Sequence, residues 1–370
     1  MKFVFIIQGE GRGHQTQAMA MLDLLKRYGH EVCLALIGSK DGRSVPSMIA
    51  ENFHAPVAMF KSPALIYSKK SKALSVSKTI LNTVPNFFSY LQSLRTINRK
   101  IEEVKPDAII NFYDVLGGIY NWLYRPNARF YGVGHQYLLL NKHFIHPDSL
   151  FVDRFLVNTN TRLTCLGAYK KLALSFSAFP DDEEQNIVTV TPLLRPELKN
   201  LKRKTEDRGF ILIYLTQQSM SDEVITWCEG HPETEVHCFT DKKQEKEVVQ
   251  INDNLYFHRI NSRKFLEMMT KCRGLVTTAG FESVCEAMTL SKPVMMIPVR
   301  KHYEQLCNAS DARRAGAGIW RKELEIGTFI SYLDGLSPEK NTFNKWFSRN
   351  ELKILKEMDA LHLNEKEFAF

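Results

Sequence analysis

The chain has 370 residues, a hydrophobic content of 44% and a formal net charge of +8. This length and apolar content allow two globular domains with separate cores and argue against disorder. The seven cysteines include no C-x-x-C pair, and no run of about 18 apolar residues occurs, so neither a disulfide framework, a zinc site nor a membrane-spanning helix is indicated. We expect a protein of the reducing cytoplasm, soluble or at most peripheral to a membrane.

Short apolar runs alternate with helical patterns, which is typical of parallel, doubly wound α/β sheets. Strands are predicted at 3–7, 32–37, 108–111, 130–133, 210–215, 235–239, 274–277 and 293–297. The pattern starts again at Gly209, after the polar stretch KNLKRKTEDR, which we interpret as an interdomain linker. The sequence therefore predicts two Rossmann-like domains, 1–200 and 201–340, and an amphipathic helical tail, 341–370, expected to pack back on the first domain.

The stretch QGEGRGH, residues 8–14, lies between the first predicted strand and a helix predicted over 15–28. Glycines at such a turn let the backbone approach a ligand closely. The dinucleotide pattern G-x-G-x-x-G fails, because His14 occupies the third glycine position and no acidic residue closes the second strand. His14 is instead a titratable base usable near neutral pH, the alternative being a helix-start residue that only satisfies backbone or water.

Positive charge is concentrated in one segment of the first half. No Asp or Glu occurs between Asn52 and Ile101, whereas eight Lys and Arg do, which equals the net charge of +8. A helical pattern from about Pro85 adds an apolar face that includes Phe87 and Phe88. Segment 61–104 suits an anionic membrane surface, the alternative being a core face flanked by solvated lysines. No nucleic-acid motif accompanies it, so no nucleic-acid partner is expected.

Two polar residues follow the next predicted strands of this half. Asp114 comes after the strand 108–111, where it can hold the His14 imidazole in one tautomer or, equally well, cap a helix over 115–125. His135 comes after the strand 130–133 and is a candidate ligand contact or a purely structural residue. Both lie at the sheet edge where the glycine loop opens.

Segment 275–309 carries the most specific pattern of the chain. Two strand–loop–helix units open there on one sheet edge, with helices predicted to begin near Phe281 and His302. Helix N-termini favour an anionic ligand such as a diphosphate. Glu286 lies one turn after Glu282, and this like-charge pair suggests a bonding partner, such as the two hydroxyls of a ribose.

These residues resemble the donor-binding signature of inverting GT-B glycosyltransferases, the group of the plant UDP-sugar transferases and of the bacterial N-acetylglucosaminyl transferase of peptidoglycan lipid precursor. The plant H-C-G-W-N-S reads TAGFES at 278–283, the ribose-binding glutamate falls on Glu286, and D-Q-x-x-N-A reads EQLCNA at 304–309. GEGRGH resembles the glycine loop that ends in the bacterial catalytic histidine. The resemblance implies an α/β, GT-B fold whose two Rossmann-like doubly wound domains face a central cleft, with acceptor on the first and nucleotide sugar on the second.

The resemblance also implies a hexosyltransferase that moves a sugar from a UDP-linked donor to a lipid or glycan hydroxyl. His14 and Asp114 are then catalytic, and His135, Phe87 and Phe88 lie on the acceptor side. Donor contacts are expected from Gly11, Gly13, Thr216, Thr278, Gly280, Glu282, Ser283, Glu286, Glu304 and Gln305. Thr278 stands where many retaining relatives carry a second glutamate, which favours inversion. The sequence has no D-x-D motif, so we expect no metal and no cofactor, with phosphate charge met by helix N-termini and backbone N–H groups.

Two other functions remain open from the sequence. A sugar-nucleotide epimerase of the same architecture would need no acceptor, and a non-catalytic nucleotide-sugar-binding protein would tolerate the loss of His14. For the transferase, the expected partners are the sugar nucleotide, a lipid or glycan acceptor and an anionic membrane surface at 61–104. The expected location is the cytoplasm, including a peripheral position at the inner membrane face.

Overall fold

The structure of the protein is a computed structural model, which describes residues 1–42, 45, 49–50, 53–63, 84–148, 151–215, 219–240, 246–337, 342–350 and 352–361. The chain divides into two compact units, Met1–Arg195 with Trp346–Phe370, and Pro196–Lys345. The stretch KNLKRKTEDR therefore belongs to the second unit and is not a free linker. No helix among the described residues is both long and apolar enough to cross a membrane.

The first unit contains a parallel sheet of seven described strands. They are β1 (Lys2–Gln8), β2 (Glu31–Ser39), β3 (Val57–Lys61), β4 (Ala108–Phe112), β5 (Arg129–Gly134), β6 (Lys170–Leu174) and β7 (Ile187–Val190). Its helices, apart from the C-terminal segment, are α1 (Arg12–Arg27), α2 (Phe87–Val104), α3 (Val115–Tyr124) and α4 (Phe151–Thr164). The strand order is β3-β2-β1-β4-β5-β6-β7.

The order of the first sheet reverses between β1 and β4, which pair in parallel with Ile7 opposite Phe112. Ligands of doubly wound sheets bind outside the carboxyl ends of the strands at such a switch point. The apolar run Phe3–Ile7 is fully buried, because strands inside a parallel sheet are covered on both faces. Burial of this run fixes the position of the glycine loop that follows β1.

The second unit repeats this plan. Its strands are β8 (Ile211–Leu215), β9 (Val236–Thr240), β10 (Val248–Asn252), β11 (Leu255–Arg259), β12 (Gly274–Thr277), β13 (Val294–Met296) and β14 (Gly318–Trp320). Its helices are α5 (Glu197–Leu201), α6 (Ser219–Glu229), α7 (Ser262–Met269), α8 (Phe281–Thr289), α9 (Tyr303–Arg314) and α10 (Ile326–Asp334). The order is β10-β11-β9-β8-β12-β13-β14, and only the described pair β10–β11 is antiparallel. The switch point lies between β8 and β12, and the prediction of two doubly wound, Rossmann-like sheets is confirmed.

The C-terminal segment forms two short helices, α11 (Thr342–Asn350) and α12 (Lys353–Glu357), where the sequence predicts one amphipathic tail. From Trp346 onward it belongs to the first unit. Leu355 and Met358 are fully buried, and Trp346 Nε1 donates to the Ser175 carbonyl (3.2 Å). The His30 ring also hydrogen-bonds the Ala360 carbonyl (2.6 Å). The end of the chain thus completes the core of the first unit.

Candidate functional site

The glycine loop after β1 leads directly into α1. Gly11 is the N-cap at φ 91°, a conformation that favours glycine, so the helix begins at Arg12 and not at residue 15 as predicted. A Cβ on Gly9 would lie 2.8 Å from the Gly38 carbonyl oxygen, which leaves room only for glycine. Gln15 Nε2 donates to the Gly9 carbonyl (2.9 Å) and braces the turn. These contacts place His14 in the first turn of α1, at the switch point.

The His14 imidazole is partly buried against an aromatic ring. It stacks on Tyr113 with a centroid distance of 5.2 Å and an interplanar angle of 17°. Its Nδ1 atom is buried, and the Gln17 side chain of the same helix lies close to the ring. Desolvation lowers the pKa of His14 to about 4, and the Gln17 side chain partly opposes this change. The imidazole is therefore neutral at pH 7 and keeps a lone pair for accepting a proton.

Tyr113 is a residue that the sequence analysis missed. It stands between the end of β4 and the start of α3 with φ 64°, the left-handed region that costs a non-glycine residue about 1–2 kcal/mol. Its ring is buried, and its hydroxyl is 2.7 Å from Thr161 Oγ1. The only hint in the sequence is an aromatic residue directly before a helix-capping aspartate.

Asp114 is the N-cap of α3. Its Oδ1 accepts from the backbone N–H groups of Leu116 (2.8 Å) and Gly117 (3.2 Å), whereas its Oδ2 is buried on the side of Gly38 and Ser62. Burial raises the pKa of Asp114 to about 6, the Ser62 side chain and the helix N–H groups oppose this, and the Glu10 charge adds to it. The structure thus shows the capping role, and it contains no His14–Asp114 hydrogen bond.

Gly38 and Ser62 also lie at the end of the first sheet, and the sequence analysis missed both. A Cβ on Gly38, in β2, would overlap Asp114 Oδ2 and lie 2.8 Å from Ser62 Cβ. Ser62, just after β3, is buried. The ends of β2, β3 and β4 therefore converge at Asp114, where the side chains are closely packed. Nothing in the sequence shows this convergence, because it depends on the strand order.

The predicted acceptor-side residues have contrasting surroundings. His135 is buried, and its Nδ1 donates to the Leu174 carbonyl (2.7 Å), which assigns the proton of the neutral ring to Nδ1. Phe87 and Phe88 begin α2 and are 56% and 82% exposed, so they are not core residues. Residues 64–83, which carry four of the eight basic residues of the predicted surface, lie outside the described residues.

The second unit places the TAGFES residues at the end of β12. Gly280 is the N-cap of α8 and provides no side-chain cap, while Thr278 is buried in the loop before it. Asn308 Nδ2, in α9, donates to the Ala279 carbonyl (3.0 Å), so the EQLCNA helix supports the TAGFES loop. Asn308 was not among the predicted site residues, although it lies within the second motif.

The acidic residues of α8 lie on one side of the helix. Glu286 is buried, one turn beyond the partly buried Glu282 and Ser283. Burial raises the pKa of Cys285 well above its ordinary value, and the charges of Glu282 and Glu286 add to that rise. Both carboxylates are therefore close enough to act on this thiol. The predicted donor residue Thr216 lies outside the described residues.

The loop after β13 is held by its own polar side chains. His302 is the N-cap of α9, and its Nδ1 accepts from the Gln305 backbone N–H (3.4 Å). Burial lowers the pKa of His302 to about 4, which keeps this cap neutral. Gln305 Oε1 accepts from the Val299 N–H (2.9 Å), so its predicted donor contact would use the remaining amide N–H group. Glu304 is partly buried in the first turn of α9.

The structure thus groups the predicted catalytic and donor-binding residues that it describes into two sets. Gly11, Gly13, His14 and Asp114 lie at the switch point of the first sheet. The second unit collects Thr278, Gly280, Glu282, Ser283 and Glu286 after β12, and Glu304 and Gln305 after the neighbouring β13. Among the described residues, no group of three or more His, Cys, Asp or Glu could hold a metal ion.

The family model described as Glycosyl transferase family 1 matches residues 1–336. No curated protein matches the chain in sequence. Solved structures that resemble it include the kitacinnamycin glycotransferase, with a TM-score of 0.61, 12% identity, and coverage of 97% of this chain and 98% of that one. MurG of Acinetobacter baumannii has a TM-score of 0.53 and 15% identity, with coverage of 97% of this chain and 93% of that one. UGT89C1 of Arabidopsis thaliana complexed with quercetin has a TM-score of 0.61 and 13% identity, with coverage of 97% of this chain and 99% of that one. These likenesses confirm the predicted GT-B architecture.

Proposed function

The chain belongs to glycosyl transferase family 1 and is a GT-B glycosyltransferase, and we propose that it transfers a sugar from a UDP-linked donor with inversion at the anomeric carbon. His14 carries this proposal. It is a neutral imidazole in the first turn of α1, at the switch point of the first sheet. The first unit is proposed to bind the acceptor and the second unit the donor.

In the proposed reaction, His14 accepts the proton of the acceptor hydroxyl while that oxygen attacks the anomeric carbon and the bond to the diphosphate breaks. A base with a pKa of about 4 is weak, and a negatively charged partner would raise that pKa toward neutrality. The buried Asp114 carboxylate, which follows Tyr113 in the chain, is the proposed partner for the imidazolium. With a pKa of about 6, Asp114 is mostly ionised at pH 7.

The donor is proposed to bind at the start of α8. The N–H groups of the first turn receive no side-chain cap from Gly280, and a helix N-terminus attracts diphosphate. The Glu286 carboxylate lies one turn further, where it is proposed to accept from the ribose hydroxyls. UGT89C1 has been solved complexed with UDP and the spinosyn rhamnosyltransferase SpnG complexed with thymidine diphosphate, which supports a nucleoside diphosphate donor. We propose that these N–H groups neutralise the phosphates without a metal ion.

The acceptor is proposed to be a lipid or a glycan. The exposed Phe87 and Phe88 at the start of α2 give the first unit an apolar surface for such a molecule. Segment 61–104, with its excess of Lys and Arg, is the proposed contact with an anionic membrane. Sedimentation with vesicles of anionic and of neutral lipid tests this contact, and equal binding to both would contradict it.

The direct test of the function combines donor binding with turnover. A nucleotide at 100 times its dissociation constant raises the free energy of unfolding by about 2.7 kcal/mol, so thermal shift should identify UDP among the nucleoside diphosphates. The matching UDP-sugar, offered with lipid and glycan acceptors, should then give an inverted glycosidic bond with EDTA present. Absence of a shift with any uridine or thymidine diphosphate would contradict the proposal, and an altered sugar nucleotide formed without acceptor would indicate an epimerase.

A further inference from the structure

The His14 imidazole stacks on Tyr113, whose left-handed backbone conformation is unfavourable for a bulky side chain. We propose that Tyr113 is a positioning residue, whose ring fixes the orientation of His14 and shields one face of it from water. This inference rests on the proposed function for its catalytic meaning, but the stack itself is measurable without turnover.

The stack joins two parts of the chain that meet through the sheet. His14 comes from α1 and Tyr113 from the connection between β4 and α3, and the parallel pairing of β1 with β4 brings them together. A centroid distance of 5.2 Å and an angle of 17° lie within the range of offset aromatic stacking. The ring therefore covers the imidazole face to face.

The Tyr113 ring is itself held in place. Its hydroxyl hydrogen-bonds Thr161 Oγ1 (2.7 Å), in α4, and the Tyr137 ring packs edge-on at 6.0 Å. Tyr137 is anchored in turn by a hydrogen bond of 3.0 Å between its hydroxyl and Thr164 Oγ1, also in α4. Rotation of the ring away from His14 would break the first of these contacts.

The backbone at Tyr113 gives a second, independent argument. Its φ of 64° suits glycine or asparagine, and a bulky residue there is a genuine outlier. A local turn has no need of an aromatic side chain at this position. The ring is nevertheless present and buried, which is expected when the surroundings use it.

Charged groups near His14 do not offer a competing explanation. Asp114 follows Tyr113 and directs Oδ1 to the N–H groups of α3, and Glu10 precedes His14 in the glycine loop. Within the described part of the chain, neither forms an ion pair or a hydrogen bond with His14. Gln17, on the same helix, raises the pKa of His14, so the lowering comes from burial. The Tyr113 ring, which stacks on the imidazole, covers one face of it.

The test measures the pKa of His14 by NMR in protein labelled at histidine. His14→Ala identifies the signal among the 11 histidines. Tyr113→Asn removes the ring and suits the left-handed backbone, and Tyr113→Leu removes the ring but keeps apolar volume. In both, the pKa should rise from about 4 toward the ordinary 6.5. Tyr113→Phe keeps the stack and should keep the low pKa. Tyr120→Leu, a buried tyrosine of α3 stacked on Tyr124, is the matched control and should leave it unchanged.

Turnover adds a readout that loss of stability alone would not give. In the two variants without the ring, kcat should fall by about tenfold to a hundredfold with the donor KM unchanged, and the acid limb of the pH–rate profile should move to higher pH. A pKa that stays near 4 in folded Tyr113→Asn and Tyr113→Leu, or that rises equally in Tyr113→Phe, overturns the proposal. A raised pKa with unchanged turnover supports the positioning of His14 and removes its role as the base.

Discussion

The switch points of the two sheets differ in the side chains that line them. At the first, the His14 imidazole stacks on Tyr113, whose backbone is left-handed. At the second, the amide side chains of Asn308 and Gln305 hydrogen-bond the backbone of the loops after β12 and β13. A titratable ring suits proton transfer and a braced loop preserves a binding shape, so we propose that the base lies in the first unit and that donor recognition lies in the second.

The substitution His14→Ala should slow the proposed reaction and leave UDP binding by the second unit unchanged. We expect kcat to fall by about a thousandfold, because a positioned base contributes about 10²–10⁴-fold. The thermal shift caused by UDP should be unchanged. Steady-state turnover and a UDP titration check the two parts, and a variant that retains turnover would contradict the assignment of the base.

The pH dependence of stability should separate His14 from Asp114. The pKa of Asp114 is raised from 3.8 to about 6, so the native state holds its proton more tightly and Asp114 lowers stability as pH rises between these values, by at most about 3 kcal/mol. The pKa of His14 is lowered from 6.5 to about 4, so His14 raises stability over a similar window.

Relative to the wild type, Asp114→Asn should therefore make stability rise more steeply between pH 4 and 6.5, and His14→Ala should make it rise less. Asparagine keeps the helix cap, so the effect of charge is separated from loss of the cap. Urea midpoints at several pH values give the slopes, and equal slopes in all three proteins would contradict the burial of both groups.

Two glycine-to-alanine substitutions should have opposite effects on stability, one at the crowded end of the first sheet and one in a helix of the second unit where the added methyl group has room. Gly38→Ala pushes a Cβ into Asp114 Oδ2 and should lower the free energy of unfolding by about 1–3 kcal/mol. Gly327→Ala, in α10, meets nothing within 4 Å and should raise it by about 0.5–1 kcal/mol. Thermal or urea unfolding measures both, and a neutral Gly38→Ala would show that Asp114 can move.

The substitution Glu286→Gln tests the proposed role of the second unit in donor binding. It keeps the size of the side chain but removes the charge that is proposed to bind the ribose hydroxyls, so the dissociation constant of UDP should increase by about tenfold. Ser310→Ala, on an exposed turn of α9, is the control for a change outside the pocket. Calorimetric titration gives both constants, and unchanged UDP affinity in Glu286→Gln would remove this residue from the donor site.

Most of the fold and part of the site were predictable from the sequence. Eight strands were predicted, because their continuous apolar runs differ from their surroundings. The described strands that were not predicted give weaker patterns, and each lies at a sheet edge or next to one: β3, β6, β7, β10, β11 and β14. The start of α1 was misplaced because Gly11 makes the turn by a positive φ. Tyr113, Gly38 and Ser62 were missed because their contacts depend on the order in which strands pair.

The C-terminal segment carries a consequence for biosynthesis. His30 bonds Ala360 across 330 positions, and the buried Leu355 and Met358 complete the core around the first sheet. The first unit therefore cannot finish packing until residues 346–361 have been synthesised, whereas the second unit, encoded between the two parts of the first, needs none of them. A stop codon at position 346 would therefore damage the unit that contains β1 and not the one in which translation stopped.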